Sequence, residues 1–170
     1  MKLLIIGAGG VGTSAAKIIK RAGEGGMWAE KVVISDYNEA RAKQVCEECD
    51  DERFVYEKID ASDSKNIKDI IKKHGITFVM NAVEPSFNEN IFDTCLEAKV
   101  GYLDCAMTLP TRHPEKPFEL AHIKLGDYQF DRNEAWEKAG NMALVGSGVE
   151  PGMADVFARY AEKHLFDTID

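Results

Sequence analysis

The run Lys2-Leu3-Leu4-Ile5-Ile6 leads straight into Gly7-Ala8-Gly9-Gly10-Val11-Gly12, and a helical pattern starts where the glycines end. A buried strand can turn into a helix over so few residues only if glycine supplies backbone freedom at the corner. The spacing G-x-G-x-x-G assigns each glycine a task. Gly7 permits the tight turn, Gly9 lets the backbone approach a pyrophosphate, and Gly12 lets the helix pack close to the strand. The free amides at the helix start, together with the helix dipole, then favour an anion. A glycine-rich loop that merely turns has no need of a strand before it and a helix after it. In this context the motif predicts dinucleotide binding at Gly7, Gly9, Gly10, Val11 and Gly12.

The rest of the chain alternates in the same way, which indicates an α/β fold with a parallel sheet. Strands are expected at 2–6, at 31–35 with Asp36 at its end, from 54 to near 60, at 76–80, at 100–103 with Asp104 at its end, and at 143–145. A helix over 10–22 is expected to carry Val11, Ala15, Ile18, Ile19 and Ala22 on its inner side. Gly23-Glu24-Gly25-Gly26 reads as a flexible loop. Asn38 caps a helix running to about Cys49. Ser62 or Asp63 caps a helix whose face is Ile67, Ile70 and Ile71, and Gly75 stops it. Ser86 starts the helix of Phe87, Ile91, Cys95 and Ala98. Residues 107–130, with Pro110, Pro114 and Pro117, break the rhythm and read as an irregular insertion with a short helix near 118–123. A helix over 134–139 follows, and the last one begins near Pro151, since proline suits a first helical position. Six strands with interleaved helices fit a Rossmann-type doubly wound sheet of strand order 3-2-1-4-5-6.

Charge and composition narrow the function classes. The formal net charge is −8, with no long block of one sign, which argues against a nucleic-acid or anionic-membrane surface. No run approaches the length of a membrane span, and the start of the chain does not read as a signal peptide. The cytoplasm is the expected compartment. Cys46 and Cys49 form a C-x-x-C, but with Ala42 and Val45 they fall on the apolar stripe of a helix. No second pair completes a metal set, so no metal is expected and the thiols read as small core residues.

Ligands of doubly wound sheets lie outside the carboxyl ends of the strands. Asp36 is placed to accept the adenosine ribose hydroxyls of NAD and to repel the 2′-phosphate of NADP. Arg41 could swing toward that phosphate, which leaves NADP open. Asp60 and Ala61 would flank the adenine, although Ser62 or Asp63 there equally serves as a helix cap. Asn81 can contact the ribose next to the nicotinamide, and Ala82 is small enough for the cofactor to cross, while Pro85 and Ser86 would account for the same stretch as a turn and cap. Asp104 and Cys105 end the fifth strand and should point into the same crevice, in substrate contact or simply as a strand-end turn, and Tyr102 shares one face of the strand with Asp104. His74, His113, His122 and His164 show no metal spacing.

Gly146-Ser147-Gly148-Val149-Glu150-Pro151-Gly152-Met153 adds something more selective. Together with the opening glycines, this stretch resembles the saccharopine dehydrogenase family, whose hallmark is a G-[LV]-[DE]-P-G-M turn after the sixth strand. The family includes saccharopine reductases, lysine 6-dehydrogenases and carboxynorspermidine synthases, and the resemblance runs from residue 1 to about 165. It implies that Glu150, with Ser147 nearby, faces an amino-acid-derived substrate. It also implies an NAD(P)-dependent oxidoreductase that moves hydride to or from a C–N bond, with the cofactor performing the redox step. Residues 1–150 would then be the cofactor domain, and 151–170 a helix leading into a substrate and dimerisation domain outside this chain. The full-length protein is expected to be a homodimer, and this part alone a poor catalyst. Asp104 and Glu150 are the candidates for proton transfer, and no residue identifies itself as the group that does it.

Two other readings come from different classes. A non-catalytic dinucleotide sensor would need the glycine turn but no substrate-facing acid at Glu150. A short-chain sugar or nucleotide enzyme needs Tyr-x-x-x-Lys, yet Tyr56 is followed four places later by Asp60 and Tyr102 by Ala106.

Overall fold

A computed structural model describes residues 1–168. Six strands, β1 (Lys2–Ile6), β2 (Lys31–Asp36), β3 (Phe54–Lys58), β4 (Phe78–Asn81), β5 (Gly101–Asp104) and β6 (Ala143–Leu144), form one parallel sheet in the order β3-β2-β1-β4-β5-β6. The helices are α1 (Gly10–Arg21), α2 (Glu39–Cys49), α3 (Ser64–His74), α4 (Asn88–Ala98), α5 (Asp127–Phe130), α6 (Asn133–Lys138) and α7 (Met153–His164). Ile6 stands opposite Ser35 on one side and Asn81 on the other, and Asn81 stands opposite Asp104. The carboxyl tips of β1, β2, β4 and β5 therefore end level. The chain leaves β1 toward β2 and later returns to β4 on the other side, which opens the crevice of a doubly wound sheet at those tips.

Strand periodicity explains why helices cover both faces. Leu3, Ile5, Val32 and Ile34 point to the side that holds Ala16, Ile19, Ala42, Val45 and Cys49 of α1 and α2. Leu4, Ile6, Val33 and Val79 point to the other side, against Ile67, Ile70 and Ile71 of α3, Ile91, Phe92 and Cys95 of α4, and Trp136 of α6. Sheet residues covered on both faces form continuous apolar runs. Each fully buried Leu or Ile contributes about 1.5–3 kcal/mol. The caps match the chemistry of the sequence. Asn38 accepts the Ala40 N–H, and Asp63, rather than Ser62, accepts those of Lys65 and Asn66. Gly75 ends α3 in the left-handed conformation.

The structure corrects several local expectations. The inner face of α1 is Gly12, Ala16 and Ile19, whereas Val11 and Ile18 are 50% and 55% exposed. Contact of Gly12 with the Gly7 carbonyl fixes the rotation of the helix and turns Val11 outward. Residues 23–26 form a 3₁₀ turn with Gly26 buried, not a loose loop. A 3₁₀ turn over Pro85–Phe87 precedes α4, which begins at Asn88 rather than Ser86. No helix forms over 118–123. That stretch returns so that Ile123 pairs antiparallel with Thr111, and the helical turn comes later, at Asp127–Phe130, where the Asp127 carboxylate accepts the Lys124 N–H. α7 begins at Met153, because Gly152 has φ +126, outside the helical region.

Candidate functional site

The glycine turn is tight toward the protein and open away from it. Gly7 has φ +106, and a Cβ there would lie 2.7 Å from the Ala82 carbonyl oxygen. A Cβ on Gly12 would lie 1.8 Å from the Gly7 carbonyl oxygen, so α1 meets the strand-turn at backbone distance. A Cβ at Gly9 or Gly10 would meet nothing within 4 Å. The outer rim of the turn is thus the space a pyrophosphate needs. The Gly7 N–H is engaged by the Ser35 carbonyl at 2.8 Å, and Thr13 donates to the carbonyls of Gly9 and Ala8. The first-turn amides of Gly10, Val11 and Gly12 have no acceptor within the helix. The first turn of α1 carries no acidic residue to neutralise the positive end of its dipole.

Asp36 closes one side of this cradle. Its Oδ2 accepts the Ala8 N–H and its Oδ1 the Asn38 N–H, both at 2.8 Å. Arg41 Nη1 lies 4.0 Å from Oδ2. A cavity of about 400 Å³ opens beside it, bounded by Gly7, Asp36, Tyr37, Asp60, Val83 and Phe87 among others. Asp60 Oδ1 accepts both the N–H and the hydroxyl of Ser62, at 2.9 and 2.6 Å, and the hydroxyl bond in particular holds the Asp60 carboxyl below its ordinary range. Ala61 lines the cavity, and its carbonyl accepts from Asn90. Apolar walls with a carboxylate at the mouth suit a heteroaromatic base carrying a diol. A wider depression around Lys43, Cys46 and Tyr56 shares no residue with the glycine turn.

On the other side of β1 the expected contacts change. Asn81 is 1% exposed and its polar atoms turn inward. Nδ2 donates to Asn88 Oδ1 at 2.8 Å and to Tyr102 Oη at 3.1 Å, and Oδ1 accepts the Val83 N–H. Asn81 therefore shapes the loop after β4 and does not present a free amide to a ribose. Ala82 lies beside the glycine turn, with its N–H on the Ile6 carbonyl and its own carbonyl against Gly7.

Asp104 is likewise 1% exposed and does not open into the crevice. Oδ1 accepts the Gly146 N–H at 2.7 Å, and Oδ2 accepts from Tyr102 Oη at 2.9 Å and Gln129 Nε2 at 2.6 Å. Burial pushes its carboxyl up, and the three donors oppose that rise only in part. The Tyr102 hydroxyl is also driven well up by burial. The turn that Asp104 grips lies directly on the end of β5, since a Cβ on Gly148 would fall 2.1 Å from the Cys105 carbonyl oxygen. Gly148 bridges to Gly152 and closes the turn, and Ser147 and Glu150 are exposed on it. His113 and His122 sit in the 107–126 segment with rings 5.9 Å apart, while His74 is paired with Glu57.

The sequence reading missed several participants, Tyr37 at the cavity mouth among them. Val83 and Phe87 line the cavity, and the rule that ligands gather past the strand tips could have drawn them in with Ala82. Asn88 and Gln129, both buried, complete the polar network, and nothing in the spacing of the sequence signals either.

With this geometry established, comparison with known proteins places it. The profile of the saccharopine dehydrogenase NADP binding domain matches residues 3–144. Carboxynorspermidine synthase of Vibrio alginolyticus is 30% identical over the whole of this chain and 41% of its own length. Carboxyaminopropylagmatine dehydrogenase of Synechocystis is 28% identical over 99% of this chain and 39% of its own. The chain thus spans about two fifths of the curated relatives it matches. Among solved structures, saccharopine dehydrogenase (L-Glu forming) of Saccharomyces cerevisiae superposes with a TM-score of 0.67 at 13% identity, over 96% of this chain and 31% of the yeast enzyme. That likeness is one of fold.

Proposed function

Because the chain belongs to the family of saccharopine dehydrogenase NADP binding domains, we propose that it is the nucleotide-holding part of an oxidoreductase acting on the C–N bond of an amino-acid-derived amine or imine. The observation that carries this reading is the cradle itself. Open space at Gly9 and Gly10 and first-turn amides without acceptors meet a carboxylate, Asp36, fastened at the mouth of an apolar cavity. When bound, the nicotinamide supplies the redox chemistry. The chain's own residues bind and orient it. The amides of Gly10 and Val11 beside the open rim of Gly9 would hold the pyrophosphate, Asp36 would accept from the adenosine ribose, and Asp60 and Ala61 would flank the adenine.

Asp36 favours NAD, because its two oxygens already define an acceptor pair and a 2′-phosphate would meet like charge. Arg41 is close enough to reorient toward such a phosphate, which keeps NADP in play. The relatives' names point to carboxylated polyamines as the substrate class. Glu150, exposed on its closed turn, is the acid we assign to the substrate's ammonium or imine nitrogen. α7 exposes Val156, Phe157 and Tyr160, which supports a second domain packed against that helix; the last two residues of the expected 151–170 segment lie outside the described residues.

The test is a titration of the full-length protein with NADH and NADPH, followed by an amine panel read at the nicotinamide absorbance. Binding of either nucleotide and turnover of a carboxylated amine are expected. A folded protein that binds neither nucleotide would overturn the reading. Tight nucleotide binding with no turnover by the full-length protein on any amine would favour a sensor.

A further inference from the structure

Two segments flank the carboxyl end of β5: residues 105–126 and the turn 146–152. One buried pair joins them. Gln129 Oε1 accepts the Thr108 N–H at 2.9 Å, and Gln129 Nε2 donates to Asp104 Oδ2 at 2.6 Å. Asp104 Oδ1 accepts the Gly146 N–H, and the Asp104 carbonyl accepts the Ser147 N–H at 2.9 Å. The chain from Thr108 through Gln129 and Asp104 to Gly146 is unbroken and buried, apart from the exposed end at Ser147.

The residue types are dictated by the donors around them. Asp104 Oδ1 and Oδ2 receive three side-chain or backbone donors, from Gly146, Tyr102 and Gln129, and an asparagine would offer one acceptor oxygen in their place. The partners that Gln129 meets are an N–H on one side and a carboxylate on the other, which only an amide satisfies without moving. Among the described residues, no salt bridge involves Asp104. A carboxylate buried without a cationic partner is a costly way to join two loops, and a well-packed apolar contact would serve stability as well. What it supplies instead is direction: each hydrogen bond fixes one segment relative to the other.

Building on the assignment of the Glu150 turn to the substrate side, we propose that Asp104 and Gln129 are positioning residues. They hold the segment after β5 and the Glu150 turn in one register, and so set affinity for the amine substrate while the glycine turn sets affinity for the nucleotide. Small displacements of a positioned group are enough to matter: a shift of about 1 Å can cost on the order of a hundredfold in rate.

The test uses the full-length protein with three variants: D104N, Q129M and the double swap D104N/Q129E, which restores one donor–acceptor pair with its direction reversed. Three quantities are read: NADH or NADPH affinity by fluorescence, KM and kcat for a carboxylated polyamine, and amide hydrogen exchange over 105–110 and 146–152. The expected result is that each single variant raises the amine KM about tenfold or more and leaves nucleotide affinity within about twofold. Exchange should quicken in both segments together, and the swap should recover most of the loss in KM. Equal losses of nucleotide and amine affinity, an unchanged amine KM, or a folded swap that recovers nothing would each overturn the proposal. If D104N does not fold, Q129M carries the test, since it leaves Asp104 with Gly146 and Tyr102. If the wild-type protein turns over no amine, the functional reading fails instead. The exchange experiment then decides by itself whether Asp104 and Gln129 hold the two segments together, and quickening in only one segment, or in neither, rejects it.

Discussion

Asp36 Oδ2 accepts the Ala8 N–H at 2.8 Å, so the tip of β2 is fastened to the glycine turn that follows β1. In the proposed function, the acid assigned to the adenosine ribose therefore also braces the loop assigned to the phosphates. D36A removes the negative charge opposed to a 2′-phosphate and leaves the Ala8 and Asn38 amides without their acceptor. NADH affinity is expected to fall, and the ratio of NADPH to NADH affinity to rise about tenfold or more, which is about 1.4 kcal/mol. Paired fluorescence titrations measure the ratio. If both affinities fall equally, Asp36 braces the loop without reading the ribose.

Gly9 and Gly12 should behave in opposite ways although both belong to one motif. A Cβ at Gly12 would lie 1.8 Å from backbone, which cannot move aside without shifting α1 off the sheet. G12A is expected to destabilise the protein by about 3 kcal/mol or more, beyond the usual cost of overpacking. A Cβ at Gly9 meets nothing. G9A should keep stability within about 1 kcal/mol and yet weaken nucleotide binding at least tenfold, because its methyl group occupies the pyrophosphate's approach. Thermal unfolding beside nucleotide titration separates the two. A G9A protein that binds normally would remove the pyrophosphate from that rim.

The contrast shows which parts of the site can be read from sequence. The glycine turn, Asp36 and the strand order are local features: each follows from residue type, spacing and the alternation of strand and helix. The rotation of α1 does not, because apolar spacing alone allows Val11 and Ile18 inside, and only the close contact of Gly12 with Gly7 turns them out. Asn81 and Asp104 stand at the strand tips as expected, but their side chains face inward because Asn88 and Gln129, seven and twenty-five positions away, supply the partners. Long-range polar pairing of that kind leaves no period in a sequence. The segment 107–126 is similar: its prolines announce irregularity, and its return through the Thr111–Ile123 bridge is visible only in three dimensions.

A second carboxylate, Asp51, contributes to stability in a pH-dependent way. Asp51 accepts from Arg53 Nε and Nη2 and from the Arg53 backbone, and Arg53 Nη1 reaches the carbonyls of Gly26 and Ala29. Chiefly through its side-chain bonds with Arg53, the Asp51 carboxyl is held far below its ordinary 3.8. A carboxyl depressed in the folded state contributes stability that is complete above its unfolded value and is lost as pH falls toward the folded one. D51N should therefore melt below the wild type at pH 6, and the gap should close progressively below about pH 4. Thermal unfolding of both proteins across that range checks it. A gap that stays constant down to about pH 2 would show that the pair does not titrate as its geometry requires.

Cys46 and Cys49 look like a redox pair only in the linear sequence. They occupy the last turn of α2, the negative end of its dipole, where a thiolate is disfavoured, whereas reactive C-x-x-C thiols gain from a helix N-terminus. Burial, the neighbouring thiol and Glu47 push the Cys46 thiol up to about 11, and burial also raises Cys49. At pH 8 the thiolate of Cys46 should be about a hundredfold scarcer than that of a thiol at the ordinary 9.0. Alkylation of the native protein by iodoacetamide, followed by mass spectrometry, should accordingly be slow at Cys46 and accelerate about tenfold per pH unit up to about pH 10. Rapid labelling at pH 7, or a Cys46–Cys49 disulfide formed under mild oxidation, would return the pair to the list of chemically active groups. Slow labelling leaves both thiols as packing for the face of α2 that meets β2 and β3.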